Sequence, residues 1–275
     1  MKDFALLGVC NNITNNIQKI KLWSQSFKQH CDSEVYLVCV NSTKEELGLV
    51  SQLKIKAIPG EEADCWSLYH KRLRHTLEVL KTLNEKFVLV TDVFDVLFQN
   101  NPFTKLNFEQ HDVFVGQEGG VLVHEEPWNR TNIGKLYPDE MEKCWSIPVI
   151  CSGVIAGKTK SLIALYDELF QLCEASTKTD NIIDQAALHV MVANNRIPGL
   201  KQLNLNDGWV VHCAVAGPTQ FFEQWGFKYC ITTRGLSVPK LENNAVVKDN
   251  GEVYDIVHQF NRIPEWNAAL VSKYE

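Results

Sequence analysis

Residues 87 to 100 read FVLVTDVFDVLFQN, a hydrophobic run interrupted by two carboxylates, Asp92 and Asp95. Burying an ionised carboxylate is costly unless it is paired, hydrogen-bonded or bound to a metal. The apolar residues before Thr91 read as a buried strand, so the acids fall where that strand ends. If the chain turns there, the two carboxylates point to one side and can share a divalent cation. Hard oxygen donors suit manganese or magnesium, which keep water ligands and bind phosphates as well. Taken alone, the D-x-x-D spacing is equally compatible with a turn-capping Asp beside a salt-bridged one.

The segments before this run alternate between strand and helix patterns. FALLGVC reads as a first strand and NNITNN as a polar loop after it. Ile17, Ile20, Trp23 and Phe27 then recur at helical spacing. EVYLVCV is a second strand, STKEEL carries a helix-capping signal, and KIKAIPG is a third strand closed by a Pro-Gly breaker. WSLYHKRLRHTLEVLKTLNEK places Leu68, Leu73, Leu77, Leu80 and Leu83 near one face of a long helix that leads into FVLVTD. This alternation predicts an α/β fold with a mainly parallel sheet covered by helices. Ligands bind such sheets beyond the carboxyl ends of the strands, where Asp92 stands. Farther on, DVFVGQ and PVICSGVIAG read as strands joined by a long irregular connection of the kind that often carries function. SLIALYDELFQLCEAS and DNIIDQAALHVMVANN read as helices, and without an interdomain linker residues 1–275 are expected to form a single domain.

Composition narrows the partners. Hydrophobic residues make up 45% and charged residues 22%, which argues against extensive disorder, and the net charge of −6 lacks the basic excess of a general nucleic-acid binder. A small-molecule or polar-polymer partner fits better. The run FALLGVC is too short for a signal peptide core or a membrane span, and no other segment reaches spanning length. The nine cysteines show no CxxC pair and several sit in apolar runs, which predicts reduced structural thiols and a cytoplasmic setting. In that setting the N-x-S/T triplets at Asn12, Asn41 and Asn129 are chance matches.

Several motifs together point to one chemistry. VTDVFDVLF resembles the DxD-type metal motif of GT-A (Rossmann-like, nucleotide-diphospho-sugar) glycosyltransferases, particularly the procollagen lysine glucosyl- and galactosyl-transferase type. YHKRLRHTLEVLKTLNEK resembles the basic helix that precedes it there. ICSGVIAG is similar to the N-S-G-x-x-x-G turn of those enzymes, with Cys151 in place of the Asn. DNIIDQAALHVMV is similar to their D-D-Q helix, Asp184 and Gln185 matching its last two residues, and Val257-His258 resembles their strand-end histidine. The landmarks span about residues 1 to 265 in order. The resemblance implies a GT-A sheet, a UDP-sugar donor (glucose or galactose), Mn2+ or Mg2+, and a glycan, protein or small-molecule acceptor. It leans toward retention of configuration without settling it.

Residue by residue, the resemblance implies that Asp92, Asp95 and His258 bind the metal and that Asp92 also contacts the nucleotide. His212, in VVHCAVAGP, is a second candidate metal histidine; the C-terminal position favours His258, leaving His212 to bind donor or acceptor. Cys10, Asn11, Asn12 and Thr14 match the place where the nucleoside is held, although their polar groups serve equally well as helix caps. Arg72 is the cation expected over the donor phosphates, with Lys71 and Arg74 read as solvated helix charges. Ser152 and Gly153 would let backbone approach the sugar. Asp184 is the carboxylate expected near the transferred sugar, with N-capping its competitor, and Gln185 would orient hydroxyls. Of Trp128, Trp145, Trp209 and Trp225, Trp145 is selected as a stacking platform. Two other readings compete. A sugar-nucleotide nucleotidyltransferase would need a glycine-rich basic loop where GVCNNITNN stands, and a noncatalytic binding module of the same fold would have no need of the intact metal residues.

Overall fold

The computed structural model describes residues 3–61, 68–176 and 183–274, excepting the side chains of residues 68 and 69. Cys65, the start of the WSLYHKRL helix and the first residues of DNIIDQ therefore lie outside the described residues. The strands are β1 (Phe4–Cys10), β2 (Glu34–Val40), β3 (Lys56–Gly60), β4 (Phe87–Thr91), β5 (Val96–Phe98), β6 (Val113–Leu122), β7 (Pro148–Lys158), β8 (Leu200–Leu203), β9 (Val210–His212), β10 (Lys240–Glu242), β11 (Ala245–Val247) and β12 (Ile256–His258). The helices are α1 (Ile13–His30), α2 (Lys44–Gln52), α3 (Leu68–Leu80), α4 (Pro127–Leu136), α5 (Met141–Cys144), α6 (Thr159–Ala175), α7 (Asp184–Ala193), α8 (Cys213–Ala216), α9 (Gln220–Gln224), α10 (Phe227–Thr233) and α11 (Pro264–Ser272).

Among the described residues the main sheet has seven strands in the order β3-β2-β1-β4-β7-β6-β8. β3, β2, β1 and β4 are mutually parallel, β7 runs antiparallel between β4 and β6, and β8 pairs parallel with β6. The sheet is thus mixed and mainly parallel, as the alternation of patterns predicts. Helices cover both faces. On one side Leu73, Leu77 and Leu80 of α3 pack with Leu162, Leu165 and Leu169 of α6 and with α7. On the other, Ile20, Trp23 and Phe27 of α1 pack against Leu6, Leu89 and Phe98. Burial on both faces explains why β1, β2 and β4 are continuous apolar runs rather than alternating ones.

Local signals act where the sequence places them. Thr43 caps α2 by accepting from Glu46 N, and Glu46 returns the bond to Thr43 N. Two segments differ from expectation. Helix α1 begins at Ile13, inside the polar NNITNN, because Asn12 takes a left-handed conformation (φ 52°) that turns the chain directly from strand into helix. The connection between β6 and β7 is not irregular throughout. Glu126 accepts from Trp128 N and Asn129 N, and with Pro127 at the first helical position it starts α4. The eight described cysteines are free thiols. Among the described residues no helix is long and apolar enough to cross a membrane.

A second, three-stranded sheet, β5-β12-β9, continues from the end of β4. β12 lies antiparallel to β5 and parallel to β9, which sets His258 opposite Val96 on one side and His212 on the other. The step between the sheets is anchored beneath by Trp23, whose buried Nε1–H donates to Thr91 Oγ1 at 2.8 Å. Trp23→Phe is expected to remove that bond and lower stability by about 2 kcal/mol. Urea unfolding measures the loss, and a midpoint equal to that of the wild type would show that the bond anchors nothing.

Candidate active site

Asp92 follows β4 and Asp95 precedes β5, so the D-x-x-D turn bridges the two sheets. Its backbone is fixed at both ends: Asp92 N donates to Gly153 O at 2.8 Å, and Asp95 O accepts from Gln259 N at 2.7 Å. The second bond belongs to the residue after His258, so the pairing that forms β12 also delivers the imidazole to the acids. His258 Nε2 lies 3.4 Å from Asp92 Oδ2 and 3.7 Å from Asp95 Oδ1. It is fully buried there and makes no hydrogen bond.

Gly153, on the neighbouring β7, is what permits this approach. A Cβ at that position would stand 2.6 Å from both Asp92 Oδ2 and His258 Cε1. Sequence reasoning reserved this space for a sugar; the structure gives it first to the acid and the imidazole. On the other side of Asp92, Arg72 of α3 donates to Asp92 Oδ1 and to Asp184 Oδ2. Because Arg72 occupies Oδ1, Oδ2 is left turned toward His258. Burial raises the cost of ionising Asp92, yet Arg72 and then His258 outweigh it and hold the carboxyl down to about 2. Burial likewise opposes charging His258, and the charges of Asp95 and Asp92 move its pKa up.

Donor atoms of Asp92, Asp95 and His258 lie within 4.8 Å of one another. Two carboxylate oxygens and one imidazole nitrogen form a donor set that fits Mn2+ or Mg2+. Both carboxylates are partly exposed to a cleft of about 600 Å3, so further positions remain open to outside oxygens. The walls of the cleft differ in chemistry. Arg72, Asp92, Asp95, Ser152, Gly153, Gln185 and His258 give the lining its polar groups, while Trp128, Phe221 and Trp225 supply aromatic surface, with Phe221 stacked on Trp225 at 4.3 Å.

The remaining candidates fall in different places. Gln185 lines the cleft but is already engaged, with Oε1 accepting from Ser152 N and Nε2 donating to Asn129 Oδ1 (3.0 Å) and Glu118 Oε1 (3.3 Å). Asp184 is fully buried behind Arg72, where it also accepts from Ser152 Oγ at 3.2 Å. It does not cap α7; Ile183 holds that position. His212 is also fully buried and sits behind His258, away from the carboxylates, the two Nδ1 atoms 2.9 Å apart. Burial, and then the nearby His258, keep His212 neutral.

Cys10, Asn11, Asn12 and Thr14 stand at the same sheet edge as Asp92, one strand over, since β1 pairs with β4. They are not among the residues lining the cleft. Asn12 does not cap α1 with its side chain, and both N and Oγ1 of Thr14 donate to Glu46 Oε1. Trp145 is a correction. It is 45% exposed and stacks on His124 at 5.4 Å, outside the cleft. Trp128 and Trp225 occupy the wall instead, because α4 and the α9–α10 turn, not α5, border it. Trp209 is a core residue, its Nε1 donating to Pro102 O.

Sequence reasoning missed Glu118. It is buried on the cleft wall between Cys151 and Gln185, and burial, with Glu126 nearby, pushes its carboxyl up to about 7. The available signal was the EGG triplet. Gly119 and Gly120 both take positive φ (67° and 65°), breaking the register of β6 and turning Glu118 inward.

No family model and no curated protein matches the sequence. Solved structures match the fold. The galactosyltransferase LgtC, crystallised with donor and acceptor sugar analogues, aligns with a TM-score of 0.60 at 11% identity, covering 98% of this chain and 94% of its own. The glycosyltransferase GlyE of Streptococcus pneumoniae aligns with a TM-score of 0.56 at 13% identity, covering 100% of this chain and 60% of its own. The fold is that of GT-A glycosyltransferases. The bifunctional glycosyltransferase WbbM shares it as well, with a TM-score of 0.54 at 10% identity over 94% of this chain and 45% of its own. Within the GT-A fold of this chain, the cleft opens where β4 ends and the second sheet begins.

The raised Glu118 carboxyl sets a stability signature. Below pH 4.5 the group is protonated folded and unfolded; between 4.5 and about 7 only the unfolded chain releases the proton, so stability falls as pH rises through that window. The full contribution is roughly 3 kcal/mol. Glu118→Gln is expected to flatten the pH dependence of urea unfolding between those values, and an unchanged slope would place the raised pKa elsewhere.

Proposed function

We propose that this chain is a metal-dependent glycosyltransferase that moves a hexose from UDP-glucose or UDP-galactose to an acceptor hydroxyl, residues 1–275 acting as one GT-A domain. The observation that carries this reading is the meeting of Asp92, Asp95 and the unbonded Nε2 of His258 on the wall of a cleft, at the end of a central strand. Those three residues would hold Mn2+ or Mg2+, which when bound neutralises charge on a departing diphosphate. The motif resemblance to procollagen lysine glycosyltransferases supports UDP and the choice of hexose. LgtC, of the same fold, was crystallised with donor and acceptor sugar analogues, which supports sugar transfer from a donor to an acceptor here.

The protein's own groups have separate tasks in this reading. Arg72, fixed between Asp92 and Asp184, presents positive charge at the cleft and compensates the two acids until the donor arrives. Ser152, held by Gln185 and Asp184 of α7, and the Gln185 side-chain oxygen offer fixed acceptors for sugar hydroxyls, the Gln185 amide protons being committed to Asn129 and Glu118. Asp184 acts through Arg72 and Ser152. The aromatic wall excludes water from the sugar while it carries positive charge, which limits hydrolysis. A glycan, a protein side chain or a small molecule would supply the acceptor hydroxyl.

A panel of UDP-sugars is expected to show Mn2+-dependent hydrolysis with UDP-glucose or UDP-galactose, reduced on the order of 100-fold or more in Asp95→Ala and His258→Ala. No turnover with any UDP-sugar would overturn the activity, and metal-independent turnover would overturn the ligands. Gly153→Ala, by pushing Asp92 and His258 apart, is expected to weaken Mn2+ binding about 10-fold. Electron paramagnetic resonance of free Mn2+ measures this, and unchanged binding would mean that the site tolerates the added methyl.

A further inference from the structure

We infer that His212 is a positioning residue that fixes the ring orientation and tautomer of His258 through an Nδ1–Nδ1 hydrogen bond, so that the Nε2 lone pair of His258 faces the cleft. The inference rests on the proposed metal site and adds a residue that neither touches the cation nor lines the cleft.

The arrangement begins in strand register. β9 and β12 are parallel neighbours in which His212 and His258 are direct partners, and both residues end their strands. Side chains at paired positions of neighbouring strands share a face. The two rings meet almost edge to face, with centroids 5.2 Å apart and planes at 81°. A separation of 2.9 Å between two nitrogens is a hydrogen-bond distance, and a single proton fits between them. A metal-ligating imidazole coordinates through one nitrogen and carries its proton on the other, where a partner must accept it. With a cation held beside Asp92 and Asp95, His258 would ligate it through the Nε2 that it turns toward them, so its one proton would sit on Nδ1 and His212 Nδ1 would accept it.

The structure also makes room for this partner. Gly116 of β6 passes directly behind His212, and a Cβ there would stand 2.5 Å from His212 Nε2. Glycine at that position lets the second imidazole fit fully buried between β6 and β12. Cys151 Sγ lies 3.5 Å from the same His258 Nδ1. Sulfur is the weaker and more distant acceptor, so it supplements the imidazole without replacing it. His212 thus does for His258 what carboxylates and carbonyls do behind other metal-bound histidines.

Substitution at His212 tests the hydrogen bond apart from its bulk. Asn places a carbonyl oxygen where Nδ1 was, whereas Phe fills the space and accepts nothing. With UDP present, Mn2+ titrated into His212→Phe and followed by electron paramagnetic resonance should bind about 10- to 100-fold more weakly than to wild type. His212→Asn should recover most of that affinity, and Cys151→Ala should stay near wild type. Equal binding by wild type and His212→Phe would overturn the inference while leaving the metal site standing. Equal loss in the Phe and Asn variants would reduce His212 to packing and overturn it as well. Failure of wild type to bind Mn2+ would overturn both the metal site and this role. A measurement on the unaltered protein guards against misfolded variants. In 15N-histidine NMR with Cd2+ as a diamagnetic substitute, His258 should carry its proton on Nδ1, and a proton on Nε2 would overturn the inference.

Discussion

Negative charge at the end of β4 is the constraint on which the rest of the site depends. Asp92 is attached to a strand buried on both faces, and only a few of its neighbours can compensate it. Arg72 approaches from α3 on one side and His258 from β12 on the other, while Gly153 gives up its side chain so that both can reach. Each of these contacts needs a different piece of the fold in register. The helix must pack on the sheet, the second sheet must continue from the first, and β7 must run antiparallel beside β4.

Such a cluster is a weak source of stability. Removing two acids and a guanidinium from water costs several kcal/mol per ion, and their attraction only partly returns it. One oxygen of Asp184 is buried without any hydrogen bond, and Glu118 is held where it prefers to keep its proton. The stability that tolerates these costs comes from elsewhere, from the leucine-rich packing of α3 on α6 and the aromatic packing of α1 under the sheet. Costly groups gathered at one cleft and set in an apolar frame are the pattern that supports the proposed site.

Much of the frame was legible because it depends on local periodicity. EVYLVCV forms β2 with the bounds its pattern suggests, and Ile20, Trp23 and Phe27 lie buried along one face of α1. Glu118 and Trp145 show where such reading stops. Glu118 turns inward through two positive-φ glycines in a segment that looked like loop, and Trp145 resembles its cleft-lining counterparts in composition alone. Whether an exposed tryptophan faces a cleft is decided by which helix borders that cleft, which no short window of sequence contains.

The sequence by itself determined the mainly parallel sheet and the position of Asp92 and Asp95 just past the end of its strand β4. Strand periodicity and the cost of a carboxylate in an apolar run are properties of neighbouring residues. Tertiary structure alone decided that Arg72 joins Asp92 to Asp184, that Trp128 and Trp225 rather than Trp145 form the wall, and which of two histidines faces the acids. His212 and His258 each end a short apolar strand, and nothing local distinguishes them. They part only when β12 pairs with β5 on one side and β9 on the other, because the strand beside β5 receives the acids and the strand beyond it does not.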